Sequence, residues 1–275
     1  MTETERRPPL LRIDRATLVK GGTRILDNLS LQVAEGEHTA ILGPNGSGKS
    51  SLIKLITRQH YALAHDDGTP TVTIFGQARW DVFALRSRLG IVSGDMEQAF
   101  TYQAIANGSG VTGRDAVLSG FFASVGLARH HAVTPAMQAR AQAALSLMEA
   151  SHLASKTLET MSTGEARRVF LARALAPDPR ALLIDEPTAG LDMAARRRFL
   201  ETLRGLARQG ITILLVTHHV EEIIPEIGRV LLMQAGRIAR DGPKREMLTP
   251  QALSETFDAP VTVTSDGLYY SAAVL

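Results

Sequence analysis

The residues from Gly43 to Ser50, GPNGSGKS, have the spacing G-x-x-x-x-G-K-S. Glycines at this spacing let successive backbone N–H groups close around phosphate oxygens. Lys49 adds a point charge suited to the β- and γ-phosphates of a nucleotide, and the Ser50 hydroxyl is a ligand for Mg²⁺. The candidate phosphate-binding set is Gly43, Asn45, Gly46, Ser47, Gly48, Lys49, Ser50 and Ser51. A glycine turn matching by accident needs no particular flanks. Here the apolar run HTAILG precedes the glycines and a helical pattern from Lys49 to about Arg58 follows, as a phosphate loop requires.

Three further stretches could act on a phosphate. ALLIDEPT, from Ala181, is an apolar strand ending in two carboxylates. Asp185 is placed to hold Mg²⁺ through water, and Glu186 to polarise a water in line with a γ-phosphate. LLVTHHVEE ends a second apolar strand in His218 and His219, either of which could hydrogen-bond that phosphate. In MSTGEARRVFLARAL, from Met161, Ser162 and Gly164 stand just ahead of a helix whose apolar face is Val169, Phe170, Leu171 and Leu175. A helix N-terminus with free N–H groups is a second anion position, although a Ser followed by Glu165 also reads as a plain N-cap.

These residues need a frame. LRIDRATLV alternates as a half-buried strand, LSLQV follows it, and TVTIFG, LGIVS, ALLID, ITILLVT and VLLMQ read as further strands. Helices are expected after the phosphate loop and from about Asp192 to Gln209, closed by Gly210. Such alternation implies a parallel sheet with right-handed crossovers. Between about residues 95 and 163 strand signals vanish, and RDAVLSGFFASVGL and PAMQARAQAALSLMEA carry helical spacing, a helical insert in the α/β frame. The last stretch, about 243–275, reads as a short extension ending in a helix and a small hairpin. Arg167 and the basic run from Ala195 read as structural or solvated charge.

Composition bounds the rest. The chain has 275 residues, is 44% hydrophobic, and carries 30 basic against 28 acidic residues, a net +2 that gives no argument for nucleic acid. There is no cysteine, hence no disulfide and no thiolate metal site. MTETERRPPLLRID lacks the apolar core of a signal peptide, and no window approaches the roughly 18–20 apolar residues of a membrane span. A cytoplasmic protein is expected, held at a membrane, if at all, by a partner.

The phosphate loop, STGEA, LLIDEPT, AGLD and THH occur in the order of the Walker A, signature, Walker B, D-loop and switch-histidine motifs of the ATP-binding cassette (ABC) ATPases, which the chain resembles over nearly its whole length. The resemblance implies a P-loop NTPase with a RecA-like parallel core, an antiparallel β subdomain and a helical subdomain, forming one nucleotide-binding domain over 1–275. It implies Mg²⁺-dependent ATP hydrolysis, with Glu186 as general base and His218 as γ-phosphate sensor. It also implies a head-to-tail dimer in which Ser162 and Gly164 of one copy face the phosphate held by Lys49 of the other, and Asp192 links the two sites.

Three departures from the family pattern stand out. The signature has Thr163 and Glu165 where Gly and Gln are usual. Val19 and Lys20 stand where an aromatic usually stacks on adenine. The glutamine that usually ligates Mg²⁺ and couples to a membrane subunit aligns with Gly94, and Gln98 is the nearest substitute. The expected role is the ATPase of an ABC transporter with separately encoded permease subunits, contacted by the insert around EQAFTYQAIANGSG. The tail resembles that of metal-chelate and cobalamin-type importers. The altered glutamine leaves open a cassette acting without a permease, in regulation or nucleic-acid maintenance. A monomeric P-loop kinase or GTPase needs no signature, and no guanine-reading motif is present.

Overall fold

The computed structural model describes residues 8–107, 110–127 and 131–275. Part of the insert stretch expected to meet a membrane partner (108–109) and the start of the N-terminal segment (1–7) lie outside the described residues. The chain forms two compact units, one running to Trp80 and resuming at Thr212–Leu275, the other spanning Asp81–Ile211.

The first unit opens with β1 (Leu11–Lys20), β2 (Thr23–Val33), β3 (Thr39–Leu42), α1 (Lys49–Ile56) and β4 (Val72–Ile74). The second holds α2 (Val82–Arg88), β5 (Leu89–Val92), α3 (Gly94–Asn107), α4 (Gly113–Ser119), α5 (Pro135–Leu147), α6 (Thr163–Leu175), β6 (Ala181–Asp185) and α7 (Met193–Arg208). The chain then returns to the first unit with β7 (Thr212–Thr217), β8 (Arg229–Gln234), β9 (Arg237–Pro243), α8 (Lys244–Met247), α9 (Pro250–Phe257), β10 (Val261–Ser265) and β11 (Tyr270–Val274).

In the first unit β3 lies between β7 and β8, parallel to both, in registers that pair Leu42 with Thr217 and with Leu232. Strands covered on both faces read as continuous apolar runs, and every residue of β3 and β7 is buried. The expected parallel frame gains an antiparallel edge, β9, which pairs β8 from Gln234–Arg237 to Arg229–Pro243. A three-stranded antiparallel sheet, β2-β1-β4, forms alongside, and β10-β11 make the expected C-terminal hairpin.

In the second unit β5 and β6 are parallel, with Val92 opposite Ile184. Gly90 lets α6 close onto β5, since a Cβ there would come within 2.7 Å of the Ala174 carbonyl oxygen. Helix α6 is buried over Val169–Leu175, and Phe170 meets Phe100 of α3 edge to face at 5.3 Å. Inside this packing Arg173 donates to Ser119 Oγ (3.1 Å), the Ser124 carbonyl (2.9 Å) and Met96 Sδ (2.9 Å), which ties α3, α4 and the turn after α4 to α6. Burial, with Arg86 nearby, pulls its pKa down to about 9. Helix α7 buries Phe199, Leu200, Leu203 and Leu206 and turns Arg197 and Arg198 to solvent, the amphipathic pattern expected of it. Among the described residues no helix is long and apolar enough to cross a membrane.

Candidate nucleotide-binding and hydrolysis site

The phosphate loop lies where β3 gives way to α1. It leaves the sheet beside β7, with Gly43 N–H donating to Thr217 O at 3.4 Å. Ligand sites of parallel α/β sheets lie at these carboxyl ends. Close approach explains the glycines: a Cβ on Gly43 would fall 2.2 Å from Met233 O, and one on Gly48 2.9 Å from Met233 Cε. Gly48 is also the N-cap of α1, at φ 105°, with no side chain closing that end of the helix. The first-turn N–H groups therefore have no side-chain cap to compete with an anion.

Lys49 is buried at 5% exposure and donates from Nζ to Gly43 O (2.7 Å) and Pro44 O (2.9 Å). Its charge is thereby held over the loop. Ser47 Oγ is buried and finds no hydrogen-bond partner among the described residues, a polar atom available to a ligand in the same loop. Asn45, Gly46 and Ser50 are exposed and Ser51 is half-buried. The donor set suits a polyphosphate, and the exposed Ser50 hydroxyl suits a hard cation beside it.

His218 follows β7, so β3–β7 pairing brings it alongside Gly43 in the same unit. It packs on His219 with centroids 3.9 Å apart. The turn beyond is clamped from within: fully buried Glu222 accepts the Thr217 hydroxyl in a short hydrogen bond, and Thr217 Oγ1 accepts the His219 N–H at 2.9 Å.

The second unit carries the other predicted residues. Asp185 closes β6 and Glu186 follows it, both half-buried. Glu186 has φ 45°, a left-handed conformation that costs a non-glycine residue energy. The turn beyond is held by Ala189 N–H on Glu186 O (3.2 Å) and Leu191 N–H on Thr188 O (3.1 Å), and Asp192 then caps α7 through Ala195 N–H at 2.7 Å. Arg167 is buried and reaches Ala189 O at 3.5 Å, a structural charge as expected.

Ser162 caps α6 and forms a full capping box. Its Oγ accepts Glu165 N–H (3.3 Å), and Glu165 Oε2 accepts Ser162 N–H (2.7 Å). Both early readings of this stretch are compatible. A hydroxyl that accepts one bond still has its own proton to donate to an anion. Ser162, Thr163, Gly164 and Asp192 line one groove of about 750 Å³ with Arg168 and Arg197. A Cβ on Gly164 would sit 3.8 Å from Leu191 and Ala195, so the signature and the Asp192 turn are packed together.

Glu165 also bonds Lys156 Nζ at 2.8 Å; that ammonium and the Ser162 N–H hold its carboxyl down at about 2. A carboxyl lowered from an ordinary 4.5 stabilises the fold above the ordinary value and loses that contribution as pH falls toward 2. We expect thermal melts of Glu165→Gln, which keeps the reciprocal cap, to fall less steeply than wild type between pH 5 and pH 3. The difference reaches on the order of 1 kcal/mol, the scale of a solvent-screened pair. Parallel curves would show that the ion pair carries none of it.

Gln98 falls on α3, exposed, four residues into a helix that starts at Gly94. The helical insert expected from about residue 95 begins here, with Ser93 leading directly into the helix at Gly94. The contributions missed from sequence are Arg173, the Thr217–Glu222 clamp and the conformation of Glu186. The paired acids in HVEE were the available hint for Glu222.

Comparison with known proteins gives the family. A family model described as ABC transporter matches residues 26–189. The chain is 35% identical to the uncharacterized ABC transporter ATP-binding protein YlmA of Bacillus subtilis, over 92% of this chain and 93% of that one. It is 34% identical to the cobalt import ATP-binding protein CbiO of Rhodobacter capsulatus, over 89% and 82%. Among solved structures, cbiO1 of Clostridium perfringens, part of an ABC transporter complex, superposes with a TM-score of 0.70 at 25% identity, covering 90% of this chain and 93% of that one. The chain therefore belongs to the ABC transporter ATP-binding family, and its P-loop α/β fold is that of an ATPase subunit that powers an ABC transporter.

Proposed function

We propose that this subunit hydrolyses ATP with Mg²⁺ as a head-to-tail pair of identical cassettes, docked on separately encoded permease subunits of an importer for a metal-containing small molecule. The observation that carries the pairing is the signature corner. Ser162 and Gly164 open onto a solvent groove shared with Asp192, and no second phosphate loop exists in the chain to fill it. The cargo class rests on the cobalt-import relative for the metal and on the tail's resemblance to metal-chelate and cobalamin-type importers for the small molecule.

Each residue then has a task. The amides of Gly46–Ser50 and the Lys49 ammonium hold the β- and γ-phosphates. Ser50 and, through water, Asp185 would hold Mg²⁺, which supplies charge neutralisation on the phosphate oxygens when bound. Glu186 takes a proton from water as the water oxygen bonds to the γ-phosphorus. The bond to the bridging oxygen breaks, and ADP leaves with that electron pair. His218 donates a hydrogen bond to the γ-phosphate. The partner's Ser162 hydroxyl and Gly164 N–H add donors on the opposite side, so hydrolysis waits for the pair to close. The insert around EQAFTYQAIANGSG, with Gln98 exposed on α3, is the part offered to the permease.

Affinity purification of the tagged full chain from detergent-solubilised membranes tests this. The expected result is co-purification of a polytopic membrane protein in about equimolar amount with the cassette pair. A homodimer that purifies alone and hydrolyses ATP at full rate would favour a cassette acting without a permease.

A further inference from the structure

The switch-histidine segment is held from outside as well as from within, and both outer holds come from the C-terminal region. Glu221, in the 3-10 turn just past His218 and His219, accepts through Oε1 the N–H of Ala272 of β11 at 3.0 Å, across 51 residues of chain. Lys244 of α8 donates to Ile224 O (3.3 Å) and Pro225 O (3.0 Å) at the far end of the same segment. Between hairpin and turn lies a cavity of about 140 Å³, walled by His218, His219 and Val220 on one side and by Phe257, Val261 and Ala273 on the other.

The hairpin is well placed to transmit position. A two-stranded hairpin is marginal alone, and this one is fixed at its base by Val261 N–H on Ser254 Oγ (2.9 Å) and Leu275 N–H on Pro260 O (2.9 Å). Ala272 pairs with Val263 in the ladder, yet sends its N–H to Glu221, outward from β10. From Ser271 to Leu275 it is the one residue that is not exposed. That outward N–H serves the switch turn, and the ladder does not need it.

We infer that Glu221 and the β10–β11 hairpin position His218 for the hydrolytic step, making the C-terminal hairpin part of the switch. This rests on the reading of His218 as the γ-phosphate contact. His218 itself keeps its place on the sheet; the hairpin sets the turn that aims it.

Steady-state ATPase measurements on the full chain test the inference. Glu221→Ala should lower kcat about tenfold, the scale of a small misplacement of a reacting group, with KM for ATP and melting temperature unchanged. Glu221→Gln keeps an acceptor oxygen and should restore the rate. Ala272→Pro removes the N–H that Glu221 accepts, is tolerated at an outward-facing position of an edge strand, and should match Glu221→Ala. The double variant should be no slower than either single one. If Ala272→Pro fails to fold, Glu221→Leu in the full chain, which removes the acceptor and keeps the bulk, replaces it, with the same loss expected. His218→Ala separates the two readings: if it turns over normally, the role of His218 is wrong. If it is inactive while Glu221→Ala and the hairpin variants run at the wild-type rate, the positioning role is wrong.

Discussion

Glu186→Gln abolishes ATP turnover, by about a hundredfold to ten-thousandfold as expected for loss of a general base, and leaves ATP affinity within a few-fold of wild type. The amide is nearly isosteric and keeps a hydrogen-bonding group toward water, so the water can still be placed. It cannot take the proton, and the γ-phosphorus is not attacked. The backbone gives a second reason to assign this residue. Glu186 leaves the buried strand β6 at φ 45°, a conformation that glycine would adopt more cheaply. Backbone strain at the end of a sheet strand marks the position as one to test. Single-turnover hydrolysis and equilibrium nucleotide binding read the two halves of the prediction separately. In the variant, ATP should accumulate bound in a closed pair visible by light scattering, and Ser162→Arg in the same background should return it to monomers, because the guanidinium fills the signature groove. Wild-type turnover by Glu186→Gln would remove it as the base, and a trapped dimer indifferent to Ser162→Arg would remove the signature from the interface.

What the residues alone disclosed, and what they hid, follows from how local each feature is. The phosphate loop is visible because its glycines are demanded by contacts that admit no Cβ, at Gly43 against Met233 and at Gly48 against Ile25. Strands β3, β6 and β7 are visible because two-sided burial makes them continuous apolar runs. Helix α7 declares its start with Asp192, whose carboxylate does cap it. Helix α2 is capped in the same way, by Asp81, but Val82 and Phe83 are exposed and Leu85 is its buried residue, so no apolar face marks it. Strand β9 is held by its ladder to β8 while its side chains are exposed or half-buried, so no alternation marks it. Gln98 lies on a helix with no strong apolar face, so its place on that helix is not legible from the sequence. The Glu221–Ala272 bond joins points 51 residues apart, and nothing near either residue foretells it.

Lys49→Ala should weaken ATP binding by roughly tenfold to a hundred and fifty-fold, the loss attached to removing a charged hydrogen-bonding partner at about 1.5–3 kcal/mol. Two effects act in the same direction. The ammonium no longer meets the β- and γ-phosphates. The carbonyls of Gly43 and Pro44 also lose the donor that draws the loop over the N-terminus of α1. A triphosphate should therefore lose more affinity than a monophosphate, which reaches fewer of these groups. Arg is no remedy here, because its planar fork does not fit a position that is 5% exposed and built for a compact ammonium. Binding of ATP, ADP and AMP measured by calorimetry on the same preparation decides the matter, with the melting temperature in the absence of nucleotide checking that the fold is intact. An equal loss for all three nucleotides would mean that Lys49 shapes the loop without reading phosphate charge. Unchanged ATP affinity would remove the residue from the site, and with it the reason for the glycines packed around it.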